Sequence, residues 1–324
     1  MVLIISSEDD FSTNEVIDWL LYRGVPFVRI NDEDRITITR IGLGNHAEPV
    51  VYFELRGTIY NTQQISYTWY RRGWLYHSDA LMELLLKDAP MFKDKLRNQL
   101  GHELRVLTDF LTARLNIRSI NRPTDIFLNK LEELSVARRC GLNVPDTLIT
   151  TSKMELEAFL EKYPNLITKN ATPGVFVDDD ETMLNTTTKG ITRASLPEFP
   201  DQFFPTLFQH EIEKKFELRI FYVEGEFYAS AIFSQQDEQT RLDFRNYNFD
   251  RPNRTPPYAL PEAQQAKLLH TMQKLNLNSG SIDCIIDKNN QLYFLEVNPV
   301  GQYGQVSIPC NYHLDEKIAH LLSR

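Results

Sequence analysis

The chain has 324 residues, 42% hydrophobic and 24% charged, with a formal net charge of −9 at pH 7. That length allows two or three domains with sizeable cores, and the acidic balance argues against a general nucleic-acid binder, which needs a basic field. The three cysteines (Cys140, Cys284, Cys310) are far apart and form no CxxC pair, which suggests neither a zinc site nor a disulfide framework and points to a reducing cytosol.

The N-terminus lacks a basic region, and its short apolar run Val-Leu-Ile-Ile reads as a strand, not a signal peptide. No apolar run approaches the ~20 residues of a membrane span. A cytoplasmic protein with no membrane and no nucleic-acid partner is therefore expected.

Residues 1–75 read as a small α/β unit. Val2–Ser6 is a strand. Ser12-Thr-Asn-Glu15 has the spacing of a capping box, ahead of Val16, Ile17, Leu20 and Leu21 at helical intervals, and Gly24 stops that helix. Val25–Ile30, Ile36–Ile41, Val50–Leu55 and Ile65–Tyr70 continue as strands. The β-α-β opening has no G-x-G-x-x-G, so a dinucleotide site is excluded there. Trp69-Tyr-Arg71-Arg72 closes the unit. Its two arginines are either a solvated surface pair or a site for an anion or peptide carboxylate. His77 to Leu115 is helical in pattern, and Pro90 should split it. Leu81, Leu84, Leu85 and Met91 form its first apolar stripe, and Leu104, Leu107, Phe110 and Leu111 its second. A boundary is expected near residue 120.

Beyond it, Lys130 precedes a helix with Leu131, Leu134, Ala137 and Cys140 on one side, stopped by Gly141. Ser152–Tyr163 is a short helix, and Leu166-Ile-Thr-Lys169 is a strand with a lysine at its end. Pro173–Ile191 reads as a hairpin tipped by Asp178-Asp-Asp-Glu181, without the spacing of a calcium loop. Leu207–Lys214 and Phe216–Val223 are two strands around a polar break. Arg219 sits inside the second, where an arginine calls for an anionic partner. Pro261 begins a helix with Leu268, Leu269, Met272 and Leu275 facing the core.

The most informative stretch is Ser281 to Pro299. Two β-rich runs flank Lys288-Asn289-Asn290, a hairpin signal. A two-residue loop at Asn289-Asn290 pairs Lys288 with Gln291 and, counting back, Asp283 with Glu296. Asn298 then shares the face of Glu296. Like charges directly opposite destabilise a sheet, and buried carboxylates are costly. A bound cation resolves this. Three hard oxygen donors on one face suit Mg²⁺ that keeps waters and substrate phosphates as its other ligands. One shared proton, or a different register, would resolve it too. With such a site present, Lys130 and Lys169 become candidates for phosphate contacts.

The order of these motifs resembles the ATP-grasp superfamily of carboxylate ligases over about residues 120–324: a lysine, a second lysine, the hinge Gln209-His-Glu-Ile212, Glu217-Leu-Arg219, Asp283, then Glu296-Val-Asn-Pro. Trp69-Tyr-Arg-Arg72, Val144-Pro-Asp-Thr147, Asp243-Phe-Arg245 and Leu295–Gln302 are similar to the branch that makes graspetides, the microviridin-type ω-ester-containing peptides. The tail Val306–Tyr312 is similar to the grasp-with-spasm subgroup, in which the ligase is expected to be encoded beside a radical SPASM-type protein.

The resemblance implies an α/β (α+β) ATP-grasp fold. Residues 1–120 would form an N-terminal pre-ATP-grasp domain, 121–207 a central subdomain with a leader-docking hairpin, and 208–324 a C-terminal subdomain, the last two clamping ATP. It implies phosphate contacts from Lys130 and Lys169 and an adenine hinge including Gln209, Glu211 and Ile212. Glu217 would lie near the ribose, and Asp283, Glu296 and Asn298 would hold Mg²⁺. Arg219 and Arg245 would be catalytic, stabilising the transferred phosphate. The precursor peptide would meet Arg71, Arg72, Val175, Phe176, Val177 and Asp243, and a homodimer is the family expectation. One departure stands out: between Lys169 and the hinge there are only two glycines, Gly174 and Gly190, where many relatives carry a glycine-rich lid.

The chemistry implied is phosphorylation of a precursor Asp or Glu side chain, then attack by a Thr or Ser hydroxyl or a Lys amine of the same peptide. The general base stays open, with Asp243 and His210 as candidates. Two alternatives remain: a ligase joining a free amino acid or small molecule to a carboxylate, and a non-catalytic nucleotide-binding docking module.

Overall fold

The computed structural model describes residues 1–45, 47–87, 90–172, 176–179, 182–185, 188–235 and 252–324, with 47, 90, 176–179 and 182–185 as backbone. It divides into two compact units, residues 1–126 with 313–324, and 127–312.

In the first unit β1 (Val2–Ile5) pairs in parallel with β2 (Phe27–Ile30) and β6 (Tyr67–Tyr70), and β6 with β7 (Ser119–Ile120). The four residues of β1 are all buried, which suits the central strand of a parallel sheet. A separate meander joins β3 (Ile36–Gly44), β4 (Ala47–Leu55) and β5 (Thr58–Asn61); β5 is a strand the sequence did not announce.

The helix α1 (Phe11–Tyr22) starts ahead of the expected capping box. Asp10 is its N-cap residue, and Ser12 lies inside the first turn. The Ser12 and Thr13 hydroxyls donate to the Asp10 carboxylate at 2.5 and 3.1 Å, so they serve a buried charge and not the backbone. Gly24 ends the helix with φ +65°, as its sequence position demands. Pro90 falls in a 3-10 turn between α2 (Ala80–Lys87) and α3 (Lys93–Leu115), the expected split. The first apolar stripe is not core, however: Leu81, Leu84 and Leu85 are exposed and α2 buries only Leu86.

The second unit holds α4 (Lys130–Arg139), β8 (Thr147–Ser152), α5 (Lys153–Lys162), β9 (Leu166–Thr168), β12 (Lys189–Ile191) and β13 (Gln202–His210). Between β9 and β12, β10 (Phe176–Asp179) and β11 (Thr182–Asn185) form a hairpin inside the expected span Pro173–Ile191, Phe176 opposite Asn185, whereas Lys189–Ile191 pairs with β9 and belongs to the neighbouring sheet. One sheet runs β12-β9-β13-β8, over a core of Leu156, Leu160, Leu166, Ile191, Leu196 and Phe208.

A second sheet contains β14 (Lys214–Val223), β15 (Glu226–Ile232), β16 (Pro257–Tyr258), β17 (Ser279–Asp287) and β18 (Leu292–Asn298), in the order β16-β15-β14-β17-β18. One of its faces packs Leu218, Ile220, Ile282, Phe294 and Val297 against Leu134 and Ala137 of α4, and against Leu268 and Met272 of α6 (Glu262–Lys274). The short α7 (Gly304–Cys310) also belongs to this unit.

Two boundaries differ from the sequence reading. Residue 207 lies inside β13, so the passage from one sheet to the next is the segment 211–213. The last helix, α8 (Leu314–Leu322), belongs to the first unit, where Trp19 Nε1 of α1 donates to Asp315 Oδ2 at 2.5 Å. Among the described residues no helix is long and apolar enough to cross a membrane.

Candidate nucleotide and metal site

Three adjacent strands carry a row of charges. Arg219 of β14 pairs in register with Asp283 of β17, and Asp283 with Glu296 of β18. Register partners in an antiparallel ladder point to one side of the sheet, and so do residues two apart. Glu217, Arg219, Asp283, Glu296 and Asn298 therefore share the face opposite the apolar core.

The Asp283–Glu296 pairing is the expected one, reached by a different route. The loop has three residues, not two. The Asp287 carboxylate accepts the Asn289 and Gln291 amides at 2.9 and 2.7 Å, and Asn290 takes φ +60°. That loop pairs Ile286 with Leu292 and Cys284 with Phe294, one residue off the expected register. A β-bulge that leaves Leu295 without a partner then restores the offset, so that Asp283 meets Glu296.

The charges are balanced by protein cations. Arg219 Nη1 lies 2.5 Å from both Asp283 oxygens, and Lys130 Nζ pairs with a Glu296 oxygen. Two facing carboxylates thus need no metal to coexist in the free protein, which corrects the inference drawn from their pairing alone. Lys130 opens α4 directly after Asn129, whose side chain accepts the Leu131 and Glu132 amides and sets the start of the helix.

Glu133, one turn on, is buried. Its carboxylate accepts the Val297 amide at 2.9 Å. Burial pushes this carboxyl up to about 7. The Val297 N–H, Lys130 and Lys169 pull it down, and Glu296 adds to the rise, so these groups converge here. The sequence reading missed Glu133. Its signal was position, because it shares the buried stripe of α4 with Leu134, Val136 and Ala137 while Glu132 faces Arg139 at the surface.

Glu217 is also buried, held by Lys214 Nζ at 2.6 Å and by the Ser234 hydroxyl at 2.8 Å. Burial raises its carboxyl although Lys214 and Ser234 lower it. In the hinge, Gln209 is fully buried and donates to Thr147 Oγ1 at 3.0 Å, Ile212 is buried and Glu211 half-buried. His210 is turned into a groove of about 1130 Å³ lined by Arg138, Asp146 and Tyr163, with its ring stacked on Tyr163 at 4.3 Å. None of the charged row lines that groove, so His210 gains no support as general base.

Of the expected peptide contacts, Arg71 is 1% exposed and ion-paired with Asp10 at 3.3 Å, so its guanidinium is committed inside the first unit; Arg72 is exposed. Phe176 and Val177 lie on β10. Val175, Asp243 and Arg245 lie outside the described residues.

Among the described residues no group of three His, Cys, Asp or Glu side chains forms a metal cage. The sheet face offers two carboxylates and an amide, with Glu296 24% exposed and Asn298 exposed. Such an open set of hard oxygens fits a magnesium ion that completes its shell with water and phosphate.

The sequence matches the family described as RimK-like ATP-grasp domain over residues 128–322. No curated protein matches it. Among solved structures, the fold is similar to a Chryseobacterium gregarium RiPP-associated ATP-grasp ligase in complex with ADP and a leader and core peptide. There the TM-score is 0.78 at 24% identity, over 99% of this chain and 95% of that one. The macrocyclase MdnC of Microcystis aeruginosa MRC, bound with precursor peptide MdnA, gives a TM-score of 0.73 at 23% identity, over 99% of both chains. The ATP-grasp ligase PsnB, complexed with minimal precursor, Mg and ADP, gives 0.70 at 15% identity, over 99% of this chain and 96% of that one.

Proposed function

Since this chain belongs to the RimK-like ATP-grasp family, we propose that it is an ATP- and magnesium-dependent ligase that forms ester or amide rings within a ribosomally made precursor peptide. The observation that carries the reading is the row Arg219–Asp283–Glu296 with Lys130 drawn onto it. The peptide substrate is supported by three structural neighbours of the whole chain, two solved with a peptide bound and the third with a minimal precursor.

Asp283, Glu296 and Asn298 would hold Mg²⁺, which offsets phosphate charge when bound. Lys130 then exchanges Glu296 for a phosphate oxygen, and Lys169 joins it. The hinge Gln209–Ile212 receives the adenine, and Glu217 supports the ribose side. Arg219, paired with Asp283 in the free protein, turns to the reacting phosphate. Its Nε is buried with no hydrogen-bond partner among the described residues, a donor still to be satisfied. Arg245 joins it, as the family pattern implies. A precursor Asp or Glu carboxylate takes the phosphoryl group, and a Thr or Ser hydroxyl or Lys amine of the same peptide displaces phosphate. Holding both partners in one bound chain makes that attack effectively unimolecular.

The β10–β11 hairpin, with Val175, Phe176 and Val177, docks the leader, and Arg72 and Asp243 meet the peptide. The two sheets of the second unit act as the halves of the ATP clamp, and residues 1–120 form the pre-ATP-grasp domain. A homodimer would use the exposed Leu81, Leu84 and Leu85 of α2. The protein works in the cytoplasm, and its gene is associated with that of a radical SPASM-type protein.

Intact-mass spectrometry tests the reading. Incubation with Mg·ATP and the Thr-, Asp- and Glu-rich peptide encoded beside the gene should remove the mass of one water per ring. An unchanged peptide mass, with ADP formed when free amino acids are supplied, would replace it with a small-molecule ligase.

A further inference from the structure

The bulge in β18 raises a question of register. β18 is the edge strand of its sheet, so one row of its amides and carbonyls faces away from β17. Before the bulge, the outward groups belong to even-numbered residues: Phe294 N–H donates to Asn143 O at 2.8 Å, and Leu292 O accepts Asn143 Nδ2 at 3.3 Å. After it, the outward amide is that of an odd-numbered residue, Val297, and its acceptor is Glu133.

Without the bulge the alternation would continue. Asp283 would then face Leu295, the Glu296 amide would point outward, and the Glu296 side chain would turn to the apolar face, because a one-residue slip flips every side chain. The loop alone favours that unbulged register. The Glu133–Val297 hydrogen bond fits only the bulged one.

We propose that Glu133 is a positioning residue: by accepting the Val297 amide it selects the bulged register of β18 and so holds Glu296 and Asn298, on either side of that amide, on the metal face. The inference rests on reading Asp283, Glu296 and Asn298 as the magnesium ligands. It separates two tasks on one helix. Lys130 is released from Glu296 when nucleotide arrives, while Glu133 stays on the backbone and keeps the carboxylate in place. Outer-shell groups that orient ligands commonly matter this much to metal affinity.

Isothermal titration of the intact protein with ADP, with and without Mg²⁺, tests it. The wild-type protein should bind ADP more tightly with Mg²⁺. Glu133→Ala should shrink that gain, taken as the ratio to the same variant's metal-free ADP binding, by about tenfold or more, the scale of outer-shell losses. Glu133→Gln should restore the gain, since an amide oxygen accepts the same N–H. Should the alanine variant not fold, Glu133→Leu fills the space without an acceptor and takes its place. A full gain in the acceptor-less variant overturns the proposal, as does loss in the glutamine variant equal to that in alanine, which would assign the charge itself to the site. A wild-type protein with no magnesium-dependent gain overturns the ligand reading beneath it.

Discussion

Arg71–Asp10 in the first unit and Lys130–Glu296 in the second are both ion pairs of one cation and one carboxylate, and the fold treats them differently. Arg71 and Asp10 have side chains 1% and 0% exposed, and hydroxyls of Ser12 and Thr13 complete the carboxylate's shell. Lys130 and Glu296 are 14% and 24% exposed, on a face that ends in the exposed Asn298. A pair sealed from water cannot exchange partners without leaving a bare charge, so it serves as scaffold. A pair with one side open to water can trade its partners for a phosphate and a metal ion. The degree of burial, more than the residue types, separates structure from site here.

Breaking the sealed pair should cost the most. Arg71→Ala leaves the Asp10 carboxylate buried and uncompensated, and should lower stability by about 3–5 kcal/mol, read from urea unfolding; no shift in midpoint would mean that water reaches Asp10. Glu296→Ala should do the reverse. Its unfolding midpoint should stay near that of the wild type, while peptide turnover falls by about 10²–10³-fold, the scale of one preorganised electrostatic group. Full turnover would remove Glu296 from the metal site.

The sealed pair also has a pH signature. Burial raises the Asp10 carboxyl, but Arg71, Ser12, Thr13 and Arg72 outweigh it, so it ends below its ordinary 3.8. A carboxyl depressed by folding contributes stability that is fully present above its unfolded value and is lost as pH falls through the folded one. The stability gap between wild type and Asp10→Asn should therefore be constant near neutrality and close progressively below about pH 4. A gap that stays open at low pH would show that packing, not charge, is what the asparagine disturbs.

The charged row was partly legible in the sequence, neither ion pair was, and the failures have physical causes. Arg219 inside an apolar strand required an anion and has one in Asp283. Asp283 faces Glu296 as expected, but two departures offset each other: Asp287 turns its carboxylate onto the loop amides and lengthens the turn, and the bulge at Leu295 takes the extra residue back. Neither leaves a mark in hydrophobic alternation. The capping box misled because the hydroxyls of Ser12 and Thr13 are drawn to Asp10, whose role depends on Arg71 some sixty residues away. Long-range pairing of that kind has no local pattern. Glu133 was hidden for a simpler reason: on a helix end rich in glutamate, only burial distinguishes it from Glu132.

The exchange at Lys130 is the central claim, and a crystal structure with ADP and Mn²⁺ in place of Mg²⁺ tests it most directly. Lys130 Nζ should have left Glu296 for a phosphate oxygen, with the anomalous signal of the metal between Asp283, Glu296 and Asn298. Nucleotide bound with Lys130 still on Glu296, and the metal elsewhere, would contradict it.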